Sequence, residues 1–96
     1  MSDFKELNPI LHSQLRLAIM SLLVKENKND FTSIRKATGS TSGNLSIQIK
    51  KLEEAGYVSV EKSFNNNYPL TMISITTLGL DSFSQYISDL KSYFPL

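Results

Sequence analysis

The spacing of apolar residues along the chain predicts four helices and one pair of strands. The longest periodic stretch covers residues 8–27, where leucine, isoleucine and alanine recur every three or four positions, as on one buried helix face. Asn8 suits the N-cap of this first helix. Pro9 suits its first helical position, because an N–H is not needed there.

Two shorter helices are predicted in the middle of the chain. Residues 33–38 form the second, with Thr32 as its cap, and residues 43–55 form the third, with Ser-Thr-Ser hydroxyls in front of it. Gly39 and Gly56 follow these helices, and glycine is favoured just beyond a helix C-terminus.

After the third helix the apolar period changes from 3.6 to 2. Residues 57–64 and 70–76 alternate as strands do, and three asparagines between them favour a several-residue loop. A hairpin is therefore predicted over residues 57–76. Thr77 then suits the cap of a last helix over residues 78–94.

Composition limits the classes of protein to which the chain can belong. Its 96 residues form a single predicted domain, residues 1–96, and 41% hydrophobic residues suffice for a folded core. It has no cysteine and one histidine, which excludes disulfides, thiolate zinc sites and cysteine nucleophiles. We expect a cytoplasmic protein without a signal peptide, a membrane span, a cofactor or a bound metal.

The charges are distributed unevenly along the chain. Residues 1–34 are balanced, residues 35–51 carry four basic and no acidic side chains, and residues 52–96 carry an acidic excess of three. An anionic partner is therefore expected to meet the middle segment.

Several motifs resemble the small winged-helix transcriptional regulators related to the MarR and ArsR groups. The similarity covers roughly residues 8–90. It is carried by the motifs Leu-Ala-Ile-Met at 17–20, Phe-Thr-Ser-Ile at 31–34, Gly-Asn-Leu-Ser at 43–46, Lys-Lys-Leu-Glu-Glu-Ala-Gly-Tyr-Val at 50–58 and Thr-Leu-Gly at 77–79. The resemblance implies a mainly α winged helix-turn-helix fold with a β-hairpin wing, and a cytoplasmic prokaryotic regulator that binds double-stranded DNA as a homodimer.

A helical projection of the third helix turns its slim, polar and basic side outward. Small residues let the backbone approach bases, amides read base edges, and lysines meet phosphates. Asn44 or Gln48 is expected to read adenine. Ile47 is expected either on a thymine methyl or partly buried against the wing. The predicted DNA-binding residues of this region are Arg35, Lys36, Thr41, Ser42, Gly43, Asn44, Ser46, Ile47, Gln48, Lys50 and Lys51.

The wing departs from the pattern of the family it resembles. Relatives tend to carry arginine or lysine at the hairpin tip, whereas here the tip is asparagine-rich and Lys62 is the nearby cation. We include Lys62 and Asn66 as DNA-binding candidates and expect a weak electrostatic grip. A plain turn explains the asparagines equally well.

The last helix carries more apolar surface than a short chain needs for its own core. Some of this surface is expected to face a second subunit, although the alternative is that it only covers the first helix. The predicted dimer interface comprises Leu7, Leu11, Phe83, Ile87, Leu90 and Phe94. A crevice between subunits could hold a small-molecule effector, which the sequence does not identify.

Two functional classes compete. The sequence favours a sequence-specific DNA-binding regulator that acts on a palindromic site. The alternative is a winged helix that binds another protein through its aromatic stripe and wing. An enzyme is disfavoured, since acid, base and nucleophile candidates are too few.

Overall fold

The structure, a computed structural model, describes residues 2–95 as four α-helices and a three-stranded antiparallel sheet. In chain order the elements are α1 (Gln14–Glu26), β1 (Lys28–Asp30), α2 (Phe31–Thr38), α3 (Ser42–Glu54), β2 (Val58–Asn65), β3 (Tyr68–Ile75) and α4 (Thr77–Leu90), followed by a 3₁₀ turn (Lys91–Tyr93). This is the winged helix predicted from the sequence.

The wing is the hairpin of β2 and β3. Its register runs from the pair Val58–Ile75 at the base to Asn65–Tyr68 at the tip. Asn66 and Asn67 form the turn with φ values of 52° and 70°, a left-handed conformation that asparagine tolerates well. The asparagine-rich tip therefore forms a turn, which is one of the two roles expected for it.

The strand β1 is not among the predicted elements, because its three residues are polar and show no alternation of apolar side chains. It pairs with the far edge of β3, so the strand order is β1-β3-β2. The register places Lys28 opposite Ser74 and Asp30 opposite Met72. Main-chain hydrogen bonds define this strand, and they leave no hydrophobic pattern in the sequence.

The first helix is shorter at its N-terminus than predicted. It begins at Gln14, with Ser13 at the N-cap position in an extended conformation. The Asn8 side chain does cap, but it caps a separate turn: its Oδ1 accepts the N–H groups of Ile10 at 2.8 Å and Leu11 at 3.2 Å. Leu11 ends this turn and is fully buried in the core, and the α-helix begins three residues later at Gln14.

Two predicted caps are wrong by one or two positions. Asp30 rather than Thr32 caps α2, and its carboxylate accepts the N–H of Ser33 at 3.0 Å. The Ser33 hydroxyl donates to the same carboxylate and lowers the pKa of Asp30 below its usual value. Thr76 rather than Thr77 caps α4.

The remaining helix boundaries agree more closely with prediction. Thr41, one of the three candidate hydroxyl residues, caps α3, and Gly39 ends α2 in the left-handed conformation. α4 ends at Leu90, four residues before the predicted end, and continues as the 3₁₀ turn.

A single core joins the helices to the base of the wing. Its buried hydrophobic members are Leu11, Ile19, Met20, Leu23, Ile34, Leu45, Ile49, Leu52, Val58, Ile73 and Tyr86. The full burial of Leu11 contradicts its predicted place in a dimer interface, because a side chain with no exposed surface has none to offer a partner.

The start of α4 is fixed against the residue that precedes β2. The N–H of Thr76 donates to the carbonyl oxygen of Tyr57 at 3.1 Å, and the Thr76 hydroxyl donates to the carbonyl oxygen of Gly56 at 2.6 Å. Gly79 is buried here, and a Cβ at its position would lie only 2.1 Å from the Tyr57 oxygen. A glycine is therefore required where α4 crosses this strand end.

Candidate nucleic-acid interface

The helix α3 is attached to the core by one face. Leu45 and Leu52 are fully buried and Ile49 is 5% exposed, so this apolar stripe faces inward as its spacing predicts. Thr41 starts the helix: its hydroxyl accepts the N–H of Asn44 at 3.2 Å. The orientation of α3 about its axis is thus set by burial, and its first turn by the cap.

The opposite face of α3 is exposed along its length. Its exposed residues among those predicted to bind DNA are Ser42, Gly43, Asn44, Ser46, Ile47, Lys50 and Lys51. Ile47 is 56% exposed, so more than half of this apolar side chain is open to a partner. Apart from its chain neighbours and its own helix backbone, nothing in residues 2–95 lies within 4 Å of a Cβ built on Gly43, so the first turn is slim and open. This face has the shape expected for close approach to another surface.

The C-terminal half of α2 extends the basic character toward α3. Lys36 is exposed and Arg35 is half-buried, and both lie in the last turns of α2. In the connection that follows, the hydroxyl groups of Thr38 and Ser40 form a hydrogen bond at 2.8 Å. The short turn thus links the cationic end of α2 to the capped start of α3.

Gln48 has partners that sequence reasoning did not predict. Its Nε2 donates to Oδ1 of Asn44 at 3.0 Å, and its Oε1 accepts a hydrogen bond from the guanidinium of Arg16. For Gln48 to read adenine with both ends of its amide, it would have to release both of these bonds. Arg16 was not among the predicted site residues, since it is 32 positions away in sequence.

A cleft of about 330 Å³ separates α3 from the wing. Lys50 on α3 and Lys62 on β2 both line it, so the fold brings these two predicted residues together. Glu53 lines the same cleft and offsets part of their positive charge. The cleft therefore combines cationic groups with a carboxylate.

The wing tip exposes aromatic side chains. Phe64 is 78% exposed and Tyr68 is 75% exposed, beside the exposed turn residue Asn66. The alternating pattern indicated the strand that contains Phe64, but alternation does not show how far a hairpin extends beyond the core. The tip thus offers apolar and amide groups in place of cations.

The outer side of α4 and the 3₁₀ turn form an exposed apolar face. Ile87 is 36% exposed and Phe94 is 51% exposed, whereas Leu7, Phe83 and Leu90 are half-buried against the core. The ring of Phe4 packs on Tyr93, with centroids 5.2 Å apart. Part of the stripe thus covers the protomer's own core and part remains open.

The described residues offer neither a metal cluster nor a membrane-spanning helix. Between residues 2 and 95, no three or more His, Cys, Asp or Glu side chains are grouped so that they could hold a metal ion. Within the same range, every helix is too short or too polar to cross a bilayer.

Comparison with known proteins identifies the family. A family model described as a winged helix DNA-binding domain matches residues 15–94. The chain belongs to this family. The match includes α2, α3, the wing and α4, and so all the predicted DNA-binding residues.

Individual relatives are similar across most of the chain. An uncharacterized protein of Methanocaldococcus jannaschii is 35% identical over 81 residues, which are 84% of this chain and 88% of that protein. The structure of a transcriptional regulator homologue from Pyrococcus horikoshii superposes with a TM-score of 0.82 at 34% identity, covering 88% of this chain and 83% of the other. A transcriptional regulator from Thermoplasma acidophilum gives a TM-score of 0.72 at 29% identity, covering 88% and 86%.

The family match confirms two predictions. The fold is a winged helix, and the chain is a DNA-binding domain whose fold is shared by a transcriptional regulator homologue. The individual DNA contacts, the dimer and its symmetric site remain predictions.

Proposed function

We propose that the protein regulates transcription as a homodimer that places α3 of each subunit in the major groove of a palindromic DNA site. The observation that carries this proposal is the exposed outer face of α3, which is slim at its N-terminal end and carries Lys50 and Lys51 in its second half, ahead of the carboxylates Glu53 and Glu54 at its end. A major groove about 12 Å wide admits a helix of this kind.

The proposed contacts divide into reading and anchoring groups. Gly43 allows the backbone to come close, Asn44 reads a base edge, and Ile47 contacts a thymine methyl. The anchoring groups contact phosphate or sugar oxygens, which position a protein without specifying sequence. They are Arg35, Lys36, Ser46, Lys50 and Lys51 on the helices, with Lys62 and Asn66 on the wing, whereas Thr41 and Ser42 at the start of α3 belong to the reading group.

The exposed apolar face of α4 supports the homodimer. Ile87 and Phe94 present open surface, and the half-buried Leu7, Phe83 and Leu90 border it. Pairing this face about a two-fold axis would present two copies of α3. Two such copies match the half-sites of a palindromic DNA site when they lie roughly 34 Å apart.

The first experiment measures the dependence of DNA affinity on salt. Duplexes selected from a random pool should lose affinity steeply as salt rises, and Lys50→Ala with Lys51→Ala should lower the log–log slope by about 2. The control pair Lys25→Ala and Lys28→Ala removes the same charge from α1 and β1 and should leave the slope nearly unchanged. DNA binding that does not change with salt or with either pair of lysine substitutions would instead favour a protein-interaction module.

The second experiment tests the dimer. Sedimentation should give a dimer for the wild type and a monomer for Ile87→Glu, since a buried unpaired carboxylate is costly. Phe64→Glu, placed on the equally open wing tip, should remain dimeric. A monomeric wild type at micromolar concentration, or a selected DNA site without two-fold symmetry, would refute the homodimer.

A further inference from the structure

We propose that Arg16 sets the hydrogen-bonding polarity of Asn44 and thereby helps to determine which base α3 reads. This inference rests on the proposed function, because it concerns the contact of α3 with DNA. It makes Arg16 and Gln48 positioning residues, and it leaves base reading to Asn44.

The first step is that Arg16 is held in one orientation. Its Nε donates to the carbonyl oxygen of Ile10 at 2.6 Å, and one terminal nitrogen lies 3.5 Å from the carbonyl oxygen of Pro9. The other terminal nitrogen donates to Gln48. Because a guanidinium is planar, contacts to two fixed carbonyls define the direction of the third donor.

The second step is that the polarity passes along the chain of amides. Arginine has donors and no acceptor, so Gln48 must turn its carbonyl oxygen toward Arg16. Its NH₂ group then faces Asn44 and donates to Oδ1 at 3.0 Å. The NH₂ group of Asn44 is left without a hydrogen-bond partner among residues 2–95, on the exposed first turn of α3.

The third step concerns what this arrangement can recognise. An outward NH₂ group donates, and the major groove presents acceptors at N7 and O6 of guanine, N7 of adenine and O4 of thymine. The exocyclic N4 of cytosine is a donor and is disfavoured opposite it. The wild type is therefore expected to favour a base that presents an acceptor to Asn44.

Gln48→Glu tests the polarity directly. The introduced carboxylate still accepts from Arg16, but it cannot donate to Asn44. The Asn44 amide is then expected to turn over, donate to the carboxylate and present its oxygen outward. The favoured base should change to one that presents a donor. Gln48→Met is the matched control, because it removes the connection without imposing the opposite polarity.

The probe is a random pool of DNA duplexes. Selection with the wild type gives a site, and Asn44→Ala shows which position of that site loses its base preference. At that position, Gln48→Glu should change the affinity ratio of acceptor-presenting to donor-presenting duplexes by about tenfold or more. The added negative charge weakens both duplexes alike and cancels in the ratio. An unchanged ratio would overturn the proposal.

A measurement without DNA separates this inference from the proposed function. The side-chain amide ¹H–¹⁵N resonances of Gln48 and Asn44 should both shift in Arg16→Met, with the backbone spectrum confirming that the variant is folded. If the Asn44 resonance does not shift in Arg16→Met, the coupling from Arg16 through Gln48 to Asn44 is refuted, and the proposed function is not affected. If both resonances shift but the wild type enriches no duplex, the proposed function is refuted, and the coupling from Arg16 through Gln48 to Asn44 still stands.

Discussion

Two glycines that both lie in the first turn of a helix should respond in opposite ways to the same substitution. A Cβ at Gly79 would lie 2.1 Å from the backbone oxygen of Tyr57, whereas a Cβ at Gly43 would meet nothing within 4 Å. Helix propensity alone favours alanine over glycine by about 1 kcal/mol at either position. The difference between the two variants therefore measures packing.

For Gly79→Ala we expect a loss of stability. Ordinary contact begins at 3.4 Å, so α4 and the Tyr57 backbone would have to separate by about 1 Å. Overpacking of this kind costs about 1–3 kcal/mol. Moving α4 away from Tyr57 would also lengthen the hydrogen bond from the N–H of Thr76 to the carbonyl oxygen of Tyr57. After the propensity gain of about 1 kcal/mol, a net loss of about 1 kcal/mol corresponds to a Tm lower by about 4–8 °C for a domain of this size.

For Gly43→Ala we expect a gain of roughly 0.4–1 kcal/mol and a Tm higher by a few degrees, since fewer unfolded conformations are available. The same methyl group would stand where α3 approaches DNA, so affinity for the selected duplex should fall about tenfold. Thermal unfolding followed by circular dichroism, with DNA titrations at fixed salt, measures both effects. A Gly79→Ala protein as stable as the wild type would refute the packing argument, and unimpaired DNA binding by Gly43→Ala would remove the first turn of α3 from the interface.

Three further changes test other parts of the structure. Asp30→Ala should cost about 1 kcal/mol. Because the Ser33 hydrogen bonds lower the pKa of Asp30, this contribution is present above the unfolded value of 3.8 and is lost as pH falls through the lower folded value, so urea denaturation curves of the two proteins should converge in acid. Leu11→Ala should cost about 2–5 kcal/mol in urea denaturation, and a much smaller loss would contradict its core position. Phe64→Ala should change stability by less than about 0.5 kcal/mol and weaken DNA binding without altering the salt slope, because an apolar wing contact releases no counterions; unchanged affinity would exclude that contact.

The helices and the hairpin could be predicted because each has one face buried in a common core. Burial imposes a period of 3.6 on α3 and α4 and of 2 on the base of the wing, and the sequence shows both periods. β1 lacked such a signal, since Lys28 and Asn29 join the sheet through main-chain bonds. Two helix caps were predicted one or two positions away from the observed ones, because several residues with hydroxyl or carboxylate groups are neighbours in sequence. Which of them caps the helix depends on the tertiary course of the backbone.

The candidate interface could be predicted to the same extent and for the same reason. Once Leu45, Ile49 and Leu52 define the inner face of α3, the exposure of Ile47 and Lys50 follows from helix geometry. The partners of Gln48 do not follow, because Arg16 reaches it across the packing of α1 on α3. A periodic pattern specifies which way a side chain points, and the tertiary fold specifies what it meets.

The error at the start of the first helix bears directly on the interface. In a continuous helix over residues 8–27, the carbonyls of Pro9 and Ile10 would accept the N–H groups of residues 13 and 14. Because α1 begins only at Gln14, these carbonyls are free to accept the Arg16 guanidinium instead. The break before α1 therefore supplies the two oxygens that orient Arg16, and through Arg16 it orients Gln48 on α3.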